Sequence, residues 1–319
     1  MDYRTIGTSD LKASVLSLGS YQTYQRMEYA DIVALIRQAA DAGVTLFDVA
    51  HYRTAPHTEV VVGRALLDAG LQRDDFLIMD KIWWYDSNDP DLETQLDRLL
   101  FRLGMDHLDV VTCYGMRPGR DDPAETARLV AGFVTKGKAR AWGGLNWSAA
   151  DLRIAHETCV AENLPGPQIV QSKYNIARRR VVESPEYSAL RDETGISIHA
   201  SDALEGGILA GKLNSERKLG RDPGNIREEI IAMVPRLREI AGDFNCTMAQ
   251  LAIAFCIANP QTASLLFGAS NSEQLKDNLG AVEVSRKHGA DIREALKDMG
   301  VEGHGFDLPP NHASPLAAD

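Results

Sequence analysis

Cysteine is scarce in this chain. There are four in 319 residues, Cys113, Cys159, Cys246 and Cys256, and none has CxxC or other metal-ligand spacing. That argues against a disulfide scaffold and a thiolate metal site, and reads as the reduced thiols of a cytoplasmic protein. Positive charge is also short: 34 Lys and Arg stand against 45 Asp and Glu, for a net charge of −11. The clustered basic footprint of a nucleic-acid binder is therefore missing. The one basic run, Arg178-Arg179-Arg180, is too short to supply it and reads as a solvated turn after a strand. No apolar run reaches the roughly 18 residues of a membrane span, so no membrane association is expected. Met1-Asp2-Tyr3-Arg4 lacks the charged-then-apolar pattern of a signal peptide. His51, His57 and His199 share no metal-like spacing, and no metal is expected. What remains, 44% apolar and 25% charged, is the composition of a globular protein with a core large enough to need no staples.

The informative feature is alternation. Short runs rich in β-formers, at 15–19, 45–50, 76–83, 108–113, 139–145, 168–174, 196–200 and 264–268, alternate with segments of helical period. The helical segments are 30–42, 59–69, 91–103, 123–135, 149–162, 186–194, 226–243, 248–258 and 272–284, several closed by glycines such as Gly43, Gly104 and Gly137. Asn225 with Glu228 makes a capping box for the helix at 226. Such alternation means parallel strands joined by right-handed crossovers, and eight units close a (β/α)₈ TIM barrel. An open doubly wound sheet would carry a Gly-rich fingerprint at its first strand–helix turn, which here reads Gly19-Ser20-Tyr21-Gln22 and does not match. We expect residues 1–319 to form one barrel domain with an N-terminal hairpin before it and extra helices in its C-terminal part. Residues 213–225 form a long loop and candidate lid, and 303–319 a loosely ordered tail.

In a barrel the working residues sit at the C-terminal ends of the strands. That rule selects Asp48, His51, Tyr52 and Arg53 after the second strand, Asp80, Lys81, Trp83 and Trp84 at the third, and Tyr114, Met116 and Arg117 after the fourth. It selects Asn146 and Trp147 at the fifth, Gln171, Lys173 and Tyr174 at the sixth, and His199, Ser201 and Asp202 at the seventh. Asp48 and Lys81 are the sharpest pair, because a buried Lys needs a carboxylate partner. Such a lysine near a phenol would lower the phenol's pKa and fit it for general acid–base work; a purely structural ion pair is equally compatible. Tyr21, Trp83, Trp84 and Trp147 either line a substrate pocket or pack. Gly268-Ala269-Ser270-Asn271-Ser272 opens a helix and is either an ordinary cap or a phosphate site.

Together these positions resemble the aldo-keto reductase superfamily, nearest to the branch that contains the potassium-channel beta subunits. The resemblance runs from about Tyr3 to Val284. It is carried by Tyr3-Arg4-Thr5-Ile6-Gly7, by Leu16-Ser17-Leu18-Gly19, by Gly206-Gly207-Ile208-Leu209-Ala210-Gly211-Lys212, and most strongly by Thr247–Glu283. It implies an NADP(H)-binding barrel that reduces aldehydes or ketones. The cofactor residues it implies are Ser20, Asn146, Gln171, Ser201, Leu204, Gly206, Lys212, Gly268, Ala269, Ser270, Gln274, Asp277 and Asn278. Asn146 and Gln171 match the positions that hold the nicotinamide carboxamide.

The family's tetrad of Asp, Tyr, Lys and His is matched at Asp48 and Lys81. Ungapped alignment puts Arg53 at the tyrosine position, with Tyr52 one residue early. The histidine position falls on Tyr114 or, anchored at Arg117-Pro118, on Met116. Leu145 stands where the family has serine, and Ser201 where a ring stacks on the nicotinamide. The resemblance thus implies an oxidoreductase acting on a carbonyl or alcohol of a small molecule, with Tyr52 or Tyr114 as proton donor and Arg53 polarising the substrate or binding an anion. Two other readings stay open: elimination or epimerisation without net redox on the same barrel, and an NADPH-binding regulatory subunit. The sequence leaves the oligomeric state open and is compatible with a homo-oligomer.

Overall fold

The computed structural model describes residues 1–21, 23–49, 57–83, 90–114, 121–213 and 226–301. Eight parallel strands close a barrel: β3 (Leu16–Gly19), β4 (Leu46–Asp48), β5 (Leu77–Ile82), β6 (Leu108–Tyr114), β7 (Ala139–Leu145), β8 (Ile169–Lys173), β9 (Ser197–Ser201) and β10 (Thr262–Phe267). Strand β10 pairs with β3 to complete the ring. Before it, β1 (Tyr3–Thr5) and β2 (Lys12–Ser14) pair antiparallel. Both the barrel and the hairpin agree with the sequence reading.

The described residues contain nine α-helices: α1 (Tyr29–Asp41), α2 (Thr58–Asp68), α3 (Leu92–Leu103), α4 (Pro123–Thr135), α5 (Ala149–Ala161), α6 (Pro185–Thr194), α7 (Arg227–Asp243), α8 (Met248–Ile257) and α9 (Ser272–Ala295). The surplus over one helix per crossover lies between β9 and β10, which are joined through both α7 and α8. The helices start and stop where local chemistry dictates. Asp91 accepts from the Thr94 N–H at 2.8 Å to open α3, and Gly104, at φ 69°, ends it in a left-handed turn. Thr247 and Gln250 form a capping box on α8, whose residues from Leu251 to Ile257 are apolar on every face and buried.

Three expectations need revision. Helix α9 runs to Ala295 rather than ending at Val284. The polar stretch after Val284 carries no stop signal, and Gly289 lets the helix approach α8's end, since a Cβ there would lie 3.0 Å from that of Ala258. Helix α7 begins at Arg227 with Ile226 in the capping position, while Asn225 lies outside the described residues. Arg178 and Arg179 are not a solvated turn. Arg178 is buried in an ion pair with Glu205, and Arg179 bonds Glu183 at 2.7 Å and lies over the Phe255 ring. The expected lid and tail lie outside the described residues except for Leu213.

Strand parity builds the interior in layers. Leu46, Met79, Val110, Ala141 and Ile169 form an apolar inner floor, closed from below by Ile6, Leu11 and Ala13 of the hairpin. Two residues further along those strands the same face carries Asp48, Lys81, Thr112, Gly143 and Gln171, with His199 beside Gln171 on β9. At Gly143 the wall is too tight for a side chain: a Cβ would lie 1.9 Å from the Ile169 carbonyl oxygen. The barrel thus has a greasy base and a buried polar upper storey.

Candidate active site

That polar storey is one connected hydrogen-bond network. Lys81 Nζ donates to Asp48 Oδ1 at 2.6 Å and to the Val49 carbonyl at 2.7 Å. Both side chains are almost fully buried, 9% and 3% exposed. Gln171 Nε2 donates to Asp48 Oδ2 at 2.8 Å and lies 2.8 Å from His199 Nδ1, whose Nε2 meets Ser17 Oγ at 2.7 Å. Burial pushes the His199 imidazole down to about 4, against a smaller upward pull from Asp48, so the ring is neutral near pH 7. The ammonium has three hydrogens, and the third has no partner among the described residues. Ser20 N–H donates to the Asp48 carbonyl at 3.1 Å, which ties the start of the β3 loop to the pair.

Reading strand ends thus brings Asp48, Lys81 and Gln171 together, and Ser20, implied by the resemblance, joins them through its backbone. It named His199 without a role and missed Ser17. The signal for Ser17 was present as a polar residue at the inward parity of Leu16-Ser17-Leu18-Gly19. Tyr114 ends β6 on the inward face shared by Val110 and Thr112, and is half-buried. His51, Tyr52, Arg53, Trp84, Met116 and Arg117 lie outside the described residues.

Two strand-end candidates face the other way. Trp147 has no accessible surface. Its Nε1 donates to the Cys113 carbonyl at 2.9 Å and its ring sits edge-on to Trp142, between the barrel wall and the helices. It packs in the core, the second of the two roles the sequence left open. Asp80 has the parity of Ile78 and Ile82 and is buried toward the helices, with Oδ2 unpartnered. Burial, and then the nearby Glu59 carboxyl, hold its pKa well above the usual carboxylate range. A raised folded pKa means stability that is complete at low pH and lost as pH rises through that pKa. Asp80→Asn, which has no proton to lose, should therefore gain on wild type by about 1–2 kcal/mol between pH 5 and pH 8. Urea unfolding of both proteins at the two pH values measures this, and a constant difference would refute it. Of the remaining aromatics, Trp83 is held by Gln95 through both backbone groups, at 3.1 and 2.9 Å, and Tyr21 is exposed at the rim.

The residues expected to hold a cofactor form two groups. At the β7 and β9 ends, Asn146 adopts φ 57° and donates its N–H to the Gln171 carbonyl at 2.8 Å. Its Oδ1 is buried with no hydrogen-bond partner, an acceptor left for something that donates. Ser201 ends β9, and Leu204 leads into a turn through Gly206 and Gly207, at φ 61° and 103°, that closes where Lys212 N–H meets the Gly207 carbonyl at 2.9 Å. Glu205, buried against Arg178 and accepting from Asn175 Nδ2 at 2.8 Å, roots this turn. The second group surrounds the start of α9. Asn271 caps Gln274 N–H at 2.9 Å, and Ser270 N and Oγ both donate to Gln274 Oε1 at 3.1 Å. Asn278 Nδ2 donates to the Gly268 carbonyl at 3.3 Å, Asp277 accepts from Thr247 at 3.1 Å, and Ala269 is buried. A helix N-terminus suits an anion such as a phosphate, and here the Ser270 and Gln274 N–H groups are already taken by side chains. Among the described residues no three His, Cys, Asp or Glu side chains converge to hold a metal ion. Nor is any single helix there long and apolar enough to cross a membrane.

Comparison with known proteins places this geometry. The family model described as "Aldo/keto reductase family" matches residues 15–297. A protein of Arabidopsis thaliana named "Probable voltage-gated potassium channel subunit beta" is 32% identical over 308 residues, covering 89% of this chain and 92% of that one. A protein of the same name from Oryza sativa subsp. japonica is 31% identical over 308 residues, with the same coverage.

Proposed function

Since the chain belongs to the aldo/keto reductase family, we propose that it is an NADP(H)-dependent oxidoreductase acting on a carbonyl or alcohol of a small-molecule substrate. The observation that carries this reading is the buried Lys81–Asp48 pair at the mouth of the barrel, whose ammonium has one hydrogen without a partner among the described residues. The unpartnered Asn146 Oδ1 and the capped start of α9 fit the carboxamide and phosphate ends of a nicotinamide dinucleotide. When bound, that group supplies or takes the hydride. Asn146 and Gln171 would hold its amide, and Gly268, Ala269, Ser270, Gln274, Asp277 and Asn278 its adenine half.

The chain's own task is the proton. Asp48 fixes Lys81 through one carboxylate oxygen and is itself fixed by Gln171 through the other. Lys81 then presents a fixed positive charge, which favours a neighbouring phenol giving up its proton to the substrate oxygen. Tyr114, on the inward face of β6 two residues beyond the position paired with Lys81, is the first candidate for that phenol, and Tyr52 the second. Arg53 would pair with a substrate carboxylate or phosphate. Two free buried thiols, Cys113 and Cys256, raised by burial well beyond the thiolate range, accord with a reducing cytoplasm.

The test is NADPH binding followed by turnover across a broad panel of aldehydes and ketones. Activity in the wild type and a loss of about 10²–10⁴-fold in the Tyr52→Phe/Tyr114→Phe double variant are expected. Full activity in that variant would sink the proton-donor assignment. The names of the two plant relatives favour a second reading, a cofactor-binding subunit of a larger assembly. Stable NADPH binding with no turnover of any panel member would select it.

A further inference from the structure

Four neighbouring strands end alike. The last residues of β6, β7, β8 and β9 are Tyr114, Leu145, Lys173 and Ser201, and each is half-buried. They stand two residues beyond Thr112, Gly143, Gln171 and His199 of the polar storey, so strand parity turns all four into the barrel. Tyr114 pairs in register with Leu145, and Lys173 with Ser201. Together they make one arc of the inner rim: a phenol, an isobutyl group, an ammonium and a hydroxyl, in that order.

Lys173 gives this arc its charge. In the storey below, Lys81 and Asp48 neutralise each other at 2.6 Å and the His199 ring is uncharged. Lys173 is held more loosely. Its Nζ lies 3.9 Å from Asp202 Oδ2, close enough for attraction but too far for a hydrogen bond, and the side chain is 26% exposed. An apolar residue would fill an inward strand end without the cost of desolvating an ammonium.

We infer that Lys173 sets substrate specificity by pairing with a carboxylate, so that the substrate is a small oxo acid whose carbonyl meets Tyr114 while a short apolar spacer crosses Leu145. This rests on the oxidoreductase reading above, in which Tyr114 is the first candidate for the proton donor. Strands β6 and β8 are two strand spacings apart, about 10 Å between backbones, and both side chains reach inward, so a spacer of about two carbons suffices. Asp202 beside the ammonium matches it to a single negative charge and disfavours a phosphate dianion.

The test compares two aldehydes of equal chain length by NADPH consumption: succinic semialdehyde, which carries the carboxylate, and butanal, which lacks it. The wild type should favour the anionic aldehyde in kcat/KM by at least about tenfold, the worth of one charge-assisted hydrogen bond. The preference should reside in KM, since the carboxylate is bound alike before and during reaction. Lys173→Met, which keeps the stem and loses the charge, should bring the two values to within about threefold of each other. Lys173→Arg, which keeps the charge, should keep the preference. No preference in the wild type, or one that survives Lys173→Met, overturns the inference, and so does its loss in Lys173→Arg, the mark of a packing role. Butanal turnover in any of these cases leaves the oxidoreductase reading standing. If no carbonyl compound consumes NADPH, that reading falls, and a saturation-transfer NMR titration with 4-hydroxybutyrate decides the anion site. Binding weakened about tenfold by Lys173→Met supports it; equal or absent binding overturns it.

Discussion

Lys81→Met is expected to destabilise the protein by about 3–5 kcal/mol and to abolish carbonyl turnover. The substitution keeps the length and apolar stem of the side chain but leaves the Asp48 carboxylate, 3% exposed, with the Gln171 amide as its remaining side-chain hydrogen-bond donor among the described residues. A buried charge without its counter-charge is the costly case, far more so than replacement of both partners. Asp48→Asn in the Lys81→Met background should therefore recover about half of the lost stability, since the amide has no charge to strand. It should recover no activity, because the ammonium that favours proton transfer is still missing. Urea denaturation and NADPH consumption, measured on the wild type and both variants, separate the two effects. Wild-type stability in Lys81→Met would mean that Asp48 is not held by this lysine, and the reading of the site would fail with it.

The second large effect is acid lability. His199 is buried and neutral, its imidazole pushed down to about 4 by burial, while in the unfolded chain it titrates near 6.5. Between those values the unfolded state binds more protons than the native one, so stability is complete above pH 6.5 and is lost as pH falls toward 4. The loss assigned to this residue is on the order of 3 kcal/mol. Carboxylates such as Glu183, held low by Tyr174 and Arg179, add their own loss further down, but they do so equally in a His199 variant. The difference between the wild type and His199→Asn therefore isolates the imidazole. It should close by about 3 kcal/mol between pH 7 and pH 4 in unfolding titrations. A difference independent of pH would show that His199 is charged or exposed in the native protein.

The fold was legible because alternation of strand and helix periods is a local property, and each βα unit carries its own. The boundaries erred where packing decides. Helix α9 continues past Val284 because Gly289 nests against Ala258, a contact that lies 31 residues apart in sequence. The Asp48–Lys81 pair was legible as two charges at the ends of apolar runs. Strand parity, also local, separates Lys81 from Asp80 and was not used to do so. The partnership of Ser17, Gln171 and His199 was beyond reach, since it joins three strands from opposite ends of the chain and exists only once the barrel closes. The choice between pocket and packing for Trp147 stayed open for a related reason. The left-handed turn at Asn146 redirects the chain after β7, and the ring that follows enters the core behind the wall.

The stopper of Ile6, Leu11 and Ala13 beneath the apolar floor also sets the order of traffic. Among the described residues the barrel is stopped at its base, and the ammonium of Lys81 lies one layer above that floor. A molecule lodged against that layer is shut in by whatever settles above it, and nothing drains through the base. On the proposed function, the deeper of two ligands would therefore bind first and be released last.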